Sequence, residues 1–477
     1  MLFNSLGYAV FFAVVVLAYF MLPYRYRLWL LLAASYYFYM RWRWEYVFLI
    51  VAQTLVTFEA GRRIGSAQDL RTRRAWLTVA VVFLVGLLGY FKYFNFFTDS
   101  ARPLFEATGL GYLVPHLNIL LPLGISFHTF QTLSYVIDVY RGDYIADPHL
   151  GRYALYVNFF SQLIAGPIER ATHLLEQFKR DHRFDIERAT DGLKLIAWGL
   201  FKKVVIADRL ALYVDRVYAA PDLWSGSTLL LATFFFTFQI YCDFSGYSDI
   251  AVGSARVLGY DLMQNFRRPY LARSITDFWR RWHISLTTWF RIYVYLPLGG
   301  NRVRYRFWLF NIFAVFLLSG LWHGANWTFV AWGGLHGLYY FVESVGTRLK
   351  VSERLAAAVP PPLVDAGGAV LTFVLVLIGW IFFRAASISD AMSILGRIAT
   401  DWNGPLYLGP SQFTTALSLV LIGILILVES LQEKGYAARD DRPSRLPALV
   451  RWPGYVALLL GTGLLALSSD SFIYFQF

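Results

Sequence analysis

A chain of 477 residues that is 57% hydrophobic, 18% aromatic and only 16% charged is not an ordinary soluble domain. Its 43 Lys plus Arg against 31 Asp plus Glu leave a net charge of +12, which in a membrane protein marks cytoplasmic loops before it marks nucleic-acid binding. The lone Cys242 excludes an intrachain disulfide framework and any multi-cysteine metal site.

Repeated apolar runs predict an all-α polytopic membrane protein with roughly ten transmembrane helices of about 20 residues each, because lipid offers unsatisfied backbone no partner. The runs do not alternate, which excludes a β-barrel. The first span covers residues 6–22. No Lys or Arg precedes it, so it reads as a retained span and not a signal peptide. Short runs over 28–40 and 46–58 lead to a loop with Arg62, Arg63, Arg71, Arg73 and Arg74, the clearest inside marker of this region. Three crossings before that loop put the N-terminus outside. Residues 75–97 form another span, in which Lys92 is expected to snorkel to the interface. The next, 117–140, contains His128, read as a packing histidine bonded to a carbonyl.

From 168 to 209 charges of both signs recur. Leu193, Ile196, Ala197, Leu200 and Val204 fall at helical spacing, with Lys194, Lys202 and Lys203 as a basic side, which predicts amphipathic helices at the membrane surface. His173 and His182 are expected to be solvated there. A span over 229–241 leads into YCDFSGYSDIAVG. Asp243 and Asp249 lack ligand-type neighbours, so they read as helix-end or packing acids bonded to Arg, Ser or backbone groups, not as metal ligands.

Residues 274–336 hold the candidate chemistry. Ser274-x-x-Asp277 is a capping pattern that predicts a helix from Ile275, running to about Leu296, where Pro297 and Gly299-Gly300 stop it. At about 100° per residue, Arg280, Thr287 and Arg291 share one face and Trp279, Leu286 and Phe290 the next, with His283 on the border. Between Arg256 and Arg306 lie ten arginines and two acids, Asp261 and Asp277. That excess marks a cytoplasmic segment, and arginine forks also suit phosphate groups of a donor. Residues 307–322 then cross the membrane and end at His323, beside Gly324 and Ala325 and between Trp322 and Trp327. Small residues there permit the helix break that a reaction chamber needs. An ionisable ring at bilayer depth is costly and marks function by default, and a polar chamber would make the His323 ring dispensable for packing. His336, about 1300° further on if the helix were unbroken, does not share the His323 face and reads as packing. Spans near 369–383, 413–428 and 455–467 complete the bundle, after a charged loop containing Pro360, Pro361 and Pro362. No phosphate-binding glycine loop, nucleophile elbow, H-E-x-x-H or H-x-x-x-x-D pattern occurs, which disfavours nucleotide-driven transport, serine hydrolysis and zinc proteolysis.

The blocks WRRWHISL, YLPLGGNR and LWHGANW resemble those of the membrane-bound O-acyltransferases, most of all the membrane subunit of bacterial alginate and exopolysaccharide O-acetylation. YCDFSGYSDIAVG, NFRRPYLARS and the terminal FIYFQF extend the likeness over most of the chain. The resemblance implies a single membrane domain over 1–477: N-terminal spans to 165, surface helices over 166–228, a catalytic core over 229–342 and C-terminal spans from 343, with shorter re-entrant helices around a central chamber. It implies a multi-pass protein of the bacterial inner membrane that passes an acetyl group from a cytoplasmic thioester, acetyl-CoA or an acyl carrier protein, toward an exported polysaccharide. A periplasmic acetyltransferase and the export machinery would be its partners, with no nucleic acid, no metal and no bound cofactor. His323 is the expected general base or relay, and His283 would orient the donor or share the proton. Arg280 and Arg291 would meet the donor's anionic groups, and Trp279, Trp322 and Asn326 would line the substrate. One departure is Arg291-Ile292-Tyr293, where such chains usually read Arg-Asp-Tyr. D-alanyl transfer to teichoic acid is the alternative chemistry, and a polymer channel or flippase the alternative class.

Overall fold

The computed structural model describes residues 1–109, 112, 114–163, 166–350, 359–436 and 446–467. Every regular element among them is helical, and FIYFQF lies outside the described residues. The chain divides into two compact units, Met1–Ile196 with Ser248–Met263, and Ala197–Tyr247 with Gln264–Phe477.

The first unit is built on α1 (Leu6–Met21), α2 (Tyr24–Met40), α3 (Val47–Ser66), α4 (Leu70–Leu88), α5 (Phe94–Ala107), α6 (Ile125–Arg141), α7 (Leu150–Asn158) and most of α8 (Ile186–Leu200). Ser5 caps α1 by accepting from the Tyr8 amide, and Pro23 separates α1 from α2. The span expected from 117 begins only at Ile125. Gly124 before it adopts a left-handed backbone (φ 73°), and Pro122 disfavours helix at Leu121. Within α6 the buried His128 ring places Nε2 3.2 Å from the Leu163 carbonyl, as a packing histidine should. His173 is half exposed, yet Asp261 and Glu169 flank it, and their carboxylates push its ring up to about 10.

The second unit follows with a π-helical turn (Phe201–Ala207), α9 (Asp208–Tyr218), most of α10 (Gly226–Leu258), α11 (Ile275–Arg281), α12 (Ile284–Phe290), α13 (Tyr305–His323) and α14 (Trp327–Arg348). It ends in α15 (Pro361–Arg384), α16 (Ile388–Thr400), α17 (Gln412–Glu433) and α18 (Ala448–Leu465). Pro361 and Pro362, expected in a loop, open α15, where a missing N–H costs nothing. Among the described residues six helices are long and apolar enough to cross a membrane, not ten: Leu70–Ala107, Gly226–Leu258, Tyr305–His323, Pro361–Arg384, Gln412–Glu433 and Ala448–Leu465. The shortfall has a physical origin. α1 is apolar but has 16 residues. Arg25 and Arg27 open α2, and Glu59, Arg62 and Arg63 close α3.

The amphipathic surface reading of 193–204 is overturned. Leu193 is exposed, whereas Lys202 and Lys203 are buried. Lys203 Nζ lies 2.8 Å from Asp208 Oδ1 and 2.5 Å from Asp243 Oδ1, and Lys202 Nζ donates to Ser245 Oγ at 2.9 Å. Asp243 is therefore a packing acid, with Lys203 as a partner the sequence did not suggest. A glycine seam dictates the arrangement. A Cβ on Gly246 would stand 2.7 Å from the Gly199 carbonyl oxygen, so only glycine lets the two backbones approach closely enough to carry both lysines inside.

Candidate active site

The stretch from Arg267 to Phe290 is shaped by one interruption. Ser274 caps α11 as expected, its Oγ accepting from the Asp277 amide at 3.1 Å. Glu343, distant in sequence, reinforces that end by accepting from the Ile275 amide at 2.7 Å. The helix does not continue to Leu296. It stops at Arg281, and His283 takes a left-handed backbone (φ 43°) before α12 begins. Asn265 holds the break: its carbonyl accepts from the Ile284 amide at 2.9 Å and its Oδ1 from Ser285 Oγ at 2.6 Å. A non-glycine residue at positive φ is strained and persists where its surroundings over-determine it, often at a functional site. The break removes the common face expected for Arg280, Thr287 and Arg291, because helical phase is lost at His283.

His283 sits inside the protein and not on a helix border. It is fully buried, with its ring centroid 4.8 Å from Phe244, 5.8 Å from Trp322 and 6.2 Å from His323. His323, the last residue of α13, is 3% exposed and lies 5.1 Å from Trp322, 5.1 Å from Trp332 and 5.4 Å from Phe383. The two rings thus meet in a wall of aromatic side chains. In place of the polar chamber expected around His323 stand aromatic side chains, and in such low-dielectric surroundings a hydrogen bond is electrostatically stronger than in water. α13 and α14 form a tight hairpin behind it. A Cβ on Gly320 would stand 2.2 Å from the Phe329 carbonyl oxygen, and one on Gly333 2.2 Å from that of Phe316.

The other candidate residues fall in four places. Trp322 touches both histidines. Trp279 is buried but meets Trp332 and His336 at 5.7 and 5.1 Å. Asn326 caps α14, its Oδ1 accepting from the Thr328 amide at 2.9 Å while Nδ2 donates to the Ala386 carbonyl. Arg280 and Arg291 are exposed. The basic stretch itself is partly neutralised by acids remote in sequence: Arg268 and Arg281 bind Glu433 at 2.7 and 3.1 Å, and Arg273 binds Asp365 at 2.5 Å. Among the described residues Arg280, Arg291, Arg302, Arg304 and Arg306 are exposed with no ion pair. Sequence reasoning missed Trp332, Phe383, Glu343 and Glu433, which reach the site from other helices and carry no local signal. No cluster of His, Cys, Asp and Glu able to hold a metal occurs among the described residues.

Residues 143–353 match the membrane-bound O-acyltransferase family. The chain is 42% identical over 394 residues to a probable alginate O-acetylase of Azotobacter vinelandii, covering 80% of this chain and 75% of that one. It is 37% identical over 486 residues to a probable alginate O-acetylase of Pseudomonas putida, covering 96% of each chain. With a peptidoglycan O-acetyltransferase of Helicobacter pylori it shares 35% identity over 428 residues, covering 83% of this chain and 79% of the relative.

Proposed function

This chain belongs to the membrane-bound O-acyltransferase family and is an O-acyltransferase, and on that premise we propose that it carries an acetyl group from a cytoplasmic thioester through the bacterial inner membrane for O-acetylation of an exported polysaccharide such as alginate. The observation that carries this reading is the His283–His323 pair, 6.2 Å apart in an aromatic enclosure, at the far end of a helix that starts beside Arg304 and Arg306. α13 has 19 residues; at 1.5 Å each it spans about 28 Å, close to the hydrocarbon thickness. The donor enters from the arginine end and the acceptor hydroxyl from the His323 end. His323 takes the hydroxyl proton as the oxygen attacks the thioester carbonyl; the C–S bond breaks and the thiolate leaves protonated. His283 orients the donor or shares that proton. Acetyl-CoA or an acyl carrier protein supplies the thioester, and a separate periplasmic acetyltransferase completes delivery to the polymer. The names of the three relatives above, two alginate O-acetylases and a peptidoglycan O-acetyltransferase, support acetyl as the group carried, whereas teichoic acid D-alanyltransferases match at only 27–29% identity.

Two experiments test the arrangement. In a Cys242→Ser background, Arg304→Cys should react with an impermeant thiol reagent only from the cytoplasmic side and Trp327→Cys only from the outside; Trp327 is chosen because it is exposed. Labelling of both from one side refutes transfer through the membrane. Arg280→Ala and Arg291→Ala should each raise the donor KM severalfold at low ionic strength, with the defect shrinking as salt screens the wild-type contact. A defect confined to the acceptor would remove both arginines from the donor site.

A further inference from the structure

Three non-glycine residues among those described have a left-handed backbone, and two of them, Arg268 (φ 49°) and His283 (φ 43°), lie on segments that pair with each other. The rungs are the Arg267 amide donating to the Arg281 carbonyl and the Ile284 amide donating to the Asn265 carbonyl, each at 2.9 Å. Ser285 Oγ adds a third bond, to Asn265 Oδ1 at 2.6 Å. Phe266, between the rungs, packs on Trp282 at 5.0 Å and reaches the His283 ring at 6.5 Å. Neither strained residue has a glycine's freedom, so both conformations persist only where contacts from elsewhere hold the paired arms.

Glu433 supplies such a hold with one carboxylate. It is the last residue of α17, and its two oxygens go to different arms. Oε2 accepts from Arg268 Nε at 2.7 Å and Oε1 from Arg281 Nη1 at 3.1 Å. One arm is thus gripped at its strained residue, and the other two residues before His283. Asp277 steadies Arg281 as well, its Oδ1 accepting from Nε at 2.8 Å. A carboxylate suits the task because it offers two acceptor oxygens to two guanidinium groups, where an amide offers one. We infer that Glu433 is a positioning residue: it ties the two arms together from α17 and so holds His283 in the left-handed turn that keeps its ring beside that of His323, 6.2 Å away. This rests on the reading of the histidine pair above.

The test uses the full-length protein in membranes of cells that make the polymer, with labelled acetyl-CoA as donor. Glu433→Gln keeps the size and one acceptor oxygen, so it holds a single arm. It should lower kcat about tenfold, since a misplacement of about 1 Å at a reacting group costs up to about a hundredfold. Abundance and thermal midpoint should stay close to wild type. Glu433→Asp keeps both oxygens and should remain within about threefold of wild-type kcat, a rescue that assigns the effect to the carboxylate. Ser285→Ala loosens the same pairing at its other end. Combined with Glu433→Gln, it should give a kcat that departs from the product of the single effects by more than about twofold, because both act on one turn. Wild-type kcat in Glu433→Gln overturns the assignment. So does a loss that simply multiplies with that of Ser285→Ala, or one accounted for by lost abundance, and each leaves the thioester reading intact. A wild-type protein that does not consume acetyl-CoA overturns both.

Discussion

His323→Ala should lower acyl transfer by at least about a hundredfold, since general-base catalysis contributes on the order of 10²–10⁴. It should also destabilise the protein. The ring is 3% exposed and enclosed by Trp322, Trp332 and Phe383, so truncation leaves a cavity and costs roughly 2–5 kcal/mol, as core truncations do. The expectation that this ring is dispensable for packing fails because its walls are aromatic and not polar. Loss of activity in the alanine variant is therefore ambiguous by itself. His323→Gln resolves it: the amide fills most of the ring's volume but cannot act as a base near neutral pH. Transfer of labelled acetyl from thioester to polymer should vanish in both variants, while membrane abundance and thermal midpoint fall only for alanine. Wild-type transfer by His323→Gln would remove His323 from the reaction.

Lys203→Met should be the most damaging single substitution for folding. Lys203 is 1% exposed, and its ammonium lies within 2.8 Å of Asp208 and 2.5 Å of Asp243, both 3% exposed. Removing the cation leaves two buried carboxylates facing each other, and breaking such a pair by deleting one partner costs roughly 3–5 kcal/mol. Folded proteins hold only about 5–15 kcal/mol in total, so little variant should accumulate in the membrane. The triple variant Lys203→Met, Asp208→Asn, Asp243→Asn should recover much of the wild-type amount, because both buried carboxylates are neutralised together with the lost ammonium. Normal abundance and melting of Lys203→Met alone would show that the cluster carries no such weight. Equally poor accumulation of the triple variant would assign the defect to lost hydrogen bonds.

Some of this was open to inspection in the chain. The start of α11 followed from Ser274 and Asp277, because a cap is a contact between near neighbours. The packing role of His128 and the end of α13 at His323 were legible for similar reasons: an apolar run, then Gly324. The continuation of α11 was not. Nothing within 275–296 announces a break, which depends on Asn265 reaching the Ile284 amide and Ser285. Lys202 and Lys203 misled for the same reason. By periodicity they form a basic stripe, and only the close approach of Gly199 and Gly246 places Asp243 and Ser245 where they make a buried lysine tolerable.

The sequence by itself determined the solvent this protein folds in, the helical class, the family and the two histidines worth suspecting, since apolar length, local caps and contiguous motifs are properties of neighbouring residues. The tertiary structure alone decided that His283 and His323 face each other, that Trp332 and Phe383 wall them, and that Glu343 and Glu433 hold the arginine-rich stretch. Each of these depends on side chains brought together from different helices, and hydrophobic periodicity reports which face a helix buries but not what it is buried against.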